Sequence, residues 1–255
     1  MNKKNIRYYR TIAAAGLVII SVLAIVHYLR LRPCKPTAPQ ELKLYKPGIK
    51  PDIVKLFPFS KEDALKEWEE KIFKNRVVYT IDQKTDLSYA RARSDAAASA
   101  LYYKVKLDTK TRQPVISWRL KVDKFPDKNM PESLEVKDEN DFAARVYVIF
   151  PAKFFTNSKV LEYVWTKEVP AGTKGTSPYF KNIKMLALRK GPSDEWLSER
   201  RNIVEDYKNA FGKCPEYEVG AVAFMTNAEH TGTSAEAVYD DICVGYESAE
   251  ERERG

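Results

Sequence analysis

Arg145 and Tyr147 stand two residues apart in the segment Asp141-Phe142-Ala143-Ala144-Arg145-Val146-Tyr147-Val148-Ile149-Phe150. Successive side chains of an extended chain alternate between faces. Phe142, Ala144, Val146, Val148 and Phe150 therefore share one face, and Ala143, Arg145, Tyr147 and Ile149 share the other. The first set is apolar and predicts a core face. The second sets a guanidinium beside a phenol ring, a pairing suited to sugars. The guanidinium donates to paired hydroxyls or to a carboxylate, and the ring offers an apolar platform. Trp165, Arg189 and Trp118 are the residues expected to extend such a surface. The competing expectation has Asp141 or Asp240 holding Arg145 beneath covering loops, with the aromatic residues as packing.

Asp240 and Asp241, with Glu236 nearby, are the other carboxylates with chemical potential. An oxygen-rich turn at this pair is a candidate calcium site. Use as the acid and base of a glycosidase is disfavoured, because adjacent strand residues point to opposite faces; a structural turn or a partner for Arg145 is the simpler role. His230 is the one histidine beyond the N-terminal apolar run, which excludes a multi-histidine zinc site. No Gly-x-Ser-x-Gly elbow accompanies it, so its simplest role is that of an exposed loop residue. Glycine-rich phosphate loops and Cys-x-x-Cys motifs are absent, so nucleotide and redox cofactors have no support. Glu199, Arg200 and Arg201 read as a solvated helix face or salt-bridge partners. Cys214 and Cys243 could pair in an oxidising compartment, or stay as two buried thiols. No catalytic set is assigned.

The elements that would position these residues alternate with period two from Arg76 onward. Strands are expected over Val77–Ile81, Leu87–Arg93, Ala100–Leu107, Val115–Val122, Ala143–Phe150, Val160–Trp165, Met185–Arg189, Glu216–Met225 and Ala235–Tyr246. Two helices interrupt the pattern. One, over about 60–73, follows from Ser60 and Asp63 with Leu65, Trp68 and Ile72 at helical spacing. The other opens at Pro192 and Ser193, carries Trp196, Ile203, Val204, Tyr207 and Phe211 on one stripe, and stops at Gly212. The expected architecture is mainly β: an antiparallel β-sandwich of jelly-roll type with one or two decorating helices, preceded by a single transmembrane helix.

Several motifs in order carry a family resemblance. They are the Asp141–Val148 segment, Tyr163-Val164-Trp165, Glu199-Arg200-Arg201-Asn202 with Asp206-Tyr207, Phe211-Gly212, Met225-Thr226 and Tyr239-Asp240-Asp241-Ile242. Over roughly residues 68–246 the chain resembles a bacterial family catalogued as domain of unknown function three-zero-four-seven. After Met-Thr the family pattern carries Asp residues and an Asn, where this chain has Asn227-Ala228-Glu229-His230. The resemblance implies an exported protein with no established activity. The strand order is also similar to galactose-binding-like and other carbohydrate-binding jelly rolls.

Residues 11–29 contain no formal charge, and as a helix would span roughly 28 Å, about the thickness of a bilayer's hydrocarbon core. Lys3, Lys4, Arg7 and Arg10 precede them. Leu29-Arg30-Leu31-Arg32-Pro33 is a poor peptidase site, which favours a retained signal anchor over a cleaved signal. Six prolines over residues 33–58 make a semi-rigid spacer. The organisation expected is a basic tail (1–10), the anchor (11–29), a proline-rich linker (30–58), the sandwich (59–250) and a charged tail (251–255).

The net charge of +8 belongs mostly to the targeting segment. Six of the 43 Lys and Arg lie in residues 1–34, where no acid occurs, leaving 37 against 35 acids. Nucleic acid is therefore not an expected partner. The function expected is a non-catalytic module binding a glycan or envelope polymer from the inner membrane, with its C-terminal domain in the periplasm or extracytoplasmic space. The alternatives are an envelope assembly factor and, less favoured, a polysaccharide hydrolase or lyase.

Overall fold

Alternating apolar and polar residues fold here into two sheets packed face to face. The computed structural model describes residues 52–84, 87–138 and 140–248. One sheet holds β1 (Asp52–Phe57), β3 (Val78–Lys84), β4 (Leu87–Asp95), β6 (Pro114–Lys124), β11 (Leu197–Asn202) and β13 (Ser234–Tyr246). The other holds β2 (Glu69–Lys74), β5 (Ala98–Leu107), β7 (Ala144–Phe150), β8 (Lys159–Thr166), β9 (Lys174–Thr176), β10 (Ile183–Lys190) and β12 (Val219–Asn227). The order across the first is β11-β6-β13-β4-β3, with β1 paired to β13. Across the second it is β2-β5-β12-β7-β8-β10-β9. β10 runs parallel to β8, so this sheet is mixed where a purely antiparallel sandwich was expected.

β13 organises the first sheet. It pairs with β6 along one edge; along the other it meets β4 over Ser234–Tyr239 and β1 over Ile242–Tyr246. The handover falls at a register shift between Asp240 and Cys243, where Asp241 takes a left-handed backbone (φ 46°). Gly245 allows β1 to close in, since a Cβ there would lie 2.4 Å from the Asp52 carbonyl oxygen. β1 thus places residues 52–57 inside the folded unit, within the stretch assigned to the spacer.

Between the sheets, aromatic rings fill the largest volumes. Phe224 meets Trp68 edge-on at 4.9 Å, Tyr79 at 5.7 Å and Phe59 at 5.9 Å, and packs against Tyr239 at 4.7 Å. Trp68 in turn contacts Phe57 at 4.5 Å. This cluster explains why residues 60–73 are not the expected helix. Docking the Trp68 ring between the sheets allows only a 3-10 turn over Ala64–Glu67, after which Glu69–Lys74 pairs with β5 and leaves Ile72 exposed. Tertiary pairing overrides the helical spacing.

The second helix is also shorter than its apolar stripe implies. α1 spans Ile203–Phe211, capped by the Asn202 side chain accepting from the Glu205 amide at 3.0 Å and ended by Gly212 at φ 72°. Glu199, Arg200 and Arg201 lie on β11 instead, paired with Trp118, Ser117 and Ile116 of β6. The residues are strand because β6 offers an open edge, a non-local fact outside any sequence window. The parity of β7 holds from Ala144 onward. Before the strand it fails: Ala143 joins the main core, while Phe142 packs with Leu134, Val164 and Met185 on the outer side.

Residues 11–29 lie outside the described residues. Among those described, no helix is long and apolar enough to cross a membrane.

Phe224→Ala removes the shared ring of the aromatic cluster. It should lower unfolding free energy by about 3–5 kcal/mol, read as a shift in urea midpoint at unchanged slope.

Candidate functional site

Arg145 and Tyr147 face outward from the seven-stranded sheet, as alternation predicts, but not into solvent. The segments around residues 126–142 and 166–183 fold over this face. What remains is a cleft of about 80 Å³, lined by Phe73, Asn140, Arg145, Tyr147, Glu162 and Tyr179 among others. The sheet makes room for it with small residues. Ala223 stands opposite Tyr147, and Ala100 opposite Met225. Tyr147, Tyr179, Phe180 and Phe73 are half-buried around the opening.

Arg145 is 6% exposed and donates through one terminal nitrogen to the Asn140 carbonyl at 3.1 Å and to Asn140 Oδ1 at 2.6 Å. Its Nε lies 3.1 Å from Glu162 Oε1, so the two buried groups form an ion pair, although without hydrogen-bond angles. Asn140 Nδ2 is buried and unpartnered. Burial opposes the Arg145 charge, and Glu162 more than restores it, raising its pKa. Glu162 moves the other way: burial raises its pKa against the pull of Arg145 and a hydrogen bond from Tyr147.

One end of the cleft is tied down by Asp141. Its carboxylate accepts from the backbone amides of His230 (3.0 Å) and Thr231 (2.7 Å), the Thr231 hydroxyl (2.8 Å) and Asn227 Nδ2 (2.7 Å). The Asn227 amide also donates to Glu229 Oε2 at 2.8 Å. His230 Nδ1 sits 2.9 Å from Glu229 Oε1 and 3.3 Å from Asp141 Oδ1. Its Nε2 meets the Tyr179 hydroxyl, whose own proton goes to the Lys137 carbonyl at 2.8 Å. That phenol has no second proton, so Nε2 is the donor. Burial lowers the His230 pKa, but Asp141 and Glu229 outweigh it and hold the group at about 9. Burial raises and these same contacts lower Asp141, leaving it well below the usual carboxylate range. Glu229 is raised, by burial first and by Asp141 beyond it.

The donor atoms of Asp141, Glu229 and His230 lie within 4.8 Å of one another, close enough to hold a metal ion. A protonated imidazole between the two carboxylates already supplies the cation that this spacing calls for. His230, expected as an exposed loop residue, instead fastens the loop over the cleft to the wall bearing Tyr179.

The remaining expected site residues lie elsewhere. Trp118 and Trp165 are buried between the sheets, and the Trp165 indole donates to the Gly191 carbonyl at 2.8 Å. Neither reaches the Arg145 face, because both fall on inward parity. Arg189 lines a separate groove of about 740 Å³ at the sandwich edge, where its Nε is 2.5 Å from Glu199. Arg201 pairs there with Asp206 at 2.5 Å. Asp240 and Asp241 form the bulge of β13 in the opposite sheet. Arg119 lies 3.5 and 3.6 Å from their carboxylates and supplies them with a cation. They do not touch Arg145. Cys214 is exposed and Cys243 buried, and both are free thiols. Asn140, Glu162, Tyr179 and Glu229 complete the cleft without having been singled out. Only Glu162 left a sequence signal, as an acid flanked by the inward-facing Leu161 and Tyr163.

The molecule is therefore a two-sheet β-sandwich with a covered, aromatic-rimmed cleft on one outer face. The chain belongs to the family described as "Protein of unknown function (DUF3047)", whose pattern matches residues 66–243. No curated protein matches it in sequence. Among solved structures it is similar to the family 11 carbohydrate-binding module from Clostridium thermocellum in complex with a β-1,3-1,4-mixed-linked tetrasaccharide. That match has 11% identity over 70% of this chain and 88% of the other, at TM-score 0.38. It is also similar to the CBM22-1 xylan-binding domain from Paenibacillus barcinonensis Xyn10C, with 10% identity over 79% and 99% of the two chains, at TM-score 0.41.

His230 gives the cleft a pH signature. Its folded pKa of about 9 exceeds the ordinary 6.5, so its stabilisation is complete below pH 6.5 and disappears as pH rises through 9. In thermal melts the wild-type advantage over His230→Gln should be largest near pH 6 and vanish by pH 10. A pH-independent difference would contradict the imidazolium assignment.

Proposed function

We propose that this protein is a non-catalytic glycan-binding module, of jelly-roll type, tethered to the inner membrane through residues 11–29 with its folded domain outside the cytoplasm. One observation carries the binding reading. The floor of an aromatic-rimmed cleft is a buried Arg145–Glu162 ion pair beside Asn140, whose Nδ2 is buried with no hydrogen-bond partner. Leaving such an amide unpaired costs about 1–3 kcal/mol, so a polar ligand that satisfies it gains that energy. A sugar ring matches the combination, with apolar C–H faces for Tyr147 and Phe180 and hydroxyls for the floor.

The topological half of the proposal rests on the uncharged run at 11–29 behind a basic N-terminus. Protease added to intact spheroplasts should remove the folded domain; full protection would place it in the cytoplasm.

A hydrolytic reading takes support from Glu162 and Glu229, two carboxyls of raised pKa in one cleft. Binding alone predicts that bound glycans are recovered uncleaved after prolonged incubation.

On a glycan array the protein should retain defined oligosaccharides. Tyr147→Ala should weaken that binding up to about tenfold, the scale of one aromatic contact. Arg145→Ala should abolish binding and destabilise the fold by about 3–5 kcal/mol, since it strands Glu162 in the interior. An array without any sugar signal, alongside tight binding of an envelope protein, would overturn the glycan reading.

A further inference from the structure

The proposed glycan cleft has a floor specific enough to name the group it takes, an inference that rests on the glycan reading. We infer that the cleft recognises the acetamido group of a 2-acetamido sugar, in preference to a hydroxyl, a free amine or a carboxylate at the same position. The hydrogen-bonding pattern is the first ground. Arg145 donates to Asn140 Oδ1, which fixes the amide so that Nδ2 is the end left over. The floor thus offers one donor without a partner, Asn140 Nδ2, beside the Arg145–Glu162 ion pair, whose carboxylate keeps further lone pairs to accept with. An N-acetyl group presents the complement, a carbonyl oxygen to accept from Asn140 Nδ2 and an N–H to donate to the Glu162 carboxylate.

Space and polarity are the second ground. Beside the polar atoms the lining turns apolar, with Ala100, Ala223, Met225 and Ile149. The alanines leave room where larger side chains would close the sheet face, and an acetyl methyl fits that room. A cleft of about 80 Å³ holds several waters or one small polar group, so the acetamido arm enters while the ring stays among the rim aromatics. A lone hydroxyl satisfies part of the polar set and leaves the apolar end empty.

Charge disfavours the anionic alternative, and hydrogen bonding the cationic one. Three carboxyl groups, Asp141, Glu162 and Glu229, surround the site against two cations, Arg145 and His230. Both cations already face carboxylates, so a uronate meets repulsion rather than a free partner. An ammonium has no oxygen to accept from Asn140 Nδ2 and leaves that donor buried and unpaired. Asn140 Nδ2 is itself shielded from solvent, so the entering arm displaces the half-buried Tyr179 ring of the cover.

The test titrates the full-length protein, in detergent micelles at pH 7, with four trisaccharides of matched length. They are β-1,4-linked N-acetylglucosamine, its de-N-acetylated amine, the plain glucose trimer and a uronate trimer. The acetylated ligand should bind at least about tenfold more tightly than the other three, the scale of one buried group left unpaired. Ala223→Leu, checked for folding by its thermal melt, should erase that preference; Ala100→Val serves if it does not fold. Equal affinity for the acetylated and plain trimers, or tighter binding of the uronate, would overturn the acetamido inference and leave glycan binding standing. Failure of all four to bind, while the array retains other sugars, would also overturn it; failure on the array as well would overturn both.

Discussion

A guanidinium buried on the outside of a sheet sets the terms for everything around it. Arg145 sits in the middle of the seven-stranded sheet, under a cover that removes it from water. A charge so placed is tolerated only when a countercharge and hydrogen bonds replace its hydration. Glu162, on the adjacent strand, provides the countercharge. Asn140, just ahead of β7, provides the hydrogen bonds through its carbonyl and its side chain. Asn140 holds that position because its neighbour Asp141 is locked by the amides of residues 230 and 231. The loop after β12 is thereby fastened to the approach of β7, and Tyr179 to His230. One buried charge thus connects two strands and three loops.

The two outer faces of the sandwich handle arginine differently, and the contrast locates the site. On the six-stranded sheet Arg91 meets Asp82 at 2.6 Å, Asp123 at 2.7 Å, the Tyr89 hydroxyl at 3.1 Å and Glu236. Its donors are matched by acceptors from three neighbouring strands, in partial contact with water. On the seven-stranded sheet the floor around Arg145 keeps one donor, Asn140 Nδ2, without a partner in a dry setting. A network closed on itself stabilises or orients strands. One with buried capacity left over is costly unless something completes it. By that criterion the Arg145 face is where a ligand belongs, although the larger groove lies at the sandwich edge.

Period-two patterning carried most of the fold, and it failed where contacts distant in sequence chose the conformation. The Val115–Val122, Val160–Trp165 and Ala235–Tyr246 segments fall inside β6, β8 and β13 because apolar alternation and β-branched residues are local properties. Residues 69–74 and 197–202 became strands because β5 and β6 had free edges, which no local pattern records. The site was legible in the same measure. Alternation placed Arg145 and Tyr147 on one outer face, and it also contained the reason Trp165 could not join them. Trp165 pairs across from Ala144, an inward position, and parity applied to both strands together would have kept it in the core. Asn140 and Tyr179 lie on irregular segments, where no periodicity assigns a direction, and their roles follow only from the path of the covering loops.

His230 shows how a covered cleft can be both held shut and approachable. Its imidazolium shares one proton-bearing nitrogen between Asp141 and Glu229 and the other with Tyr179, so the ring bridges the Asp141 anchor and the wall. Asp141 is completely buried with four other donors upon it, which makes that side of the bridge fixed. Tyr179 is half-buried and its hydroxyl makes two hydrogen bonds, with His230 and the Lys137 carbonyl, which makes that side the weaker one. Any rearrangement that admits a ligand therefore falls on the Tyr179 wall, because displacing Asp141 would leave several buried donors unpaired at once. The anchor preserves the geometry of Asn140 and Arg145 while the rim moves, so the floor keeps one arrangement of donors and acceptor whether the cleft is covered or filled.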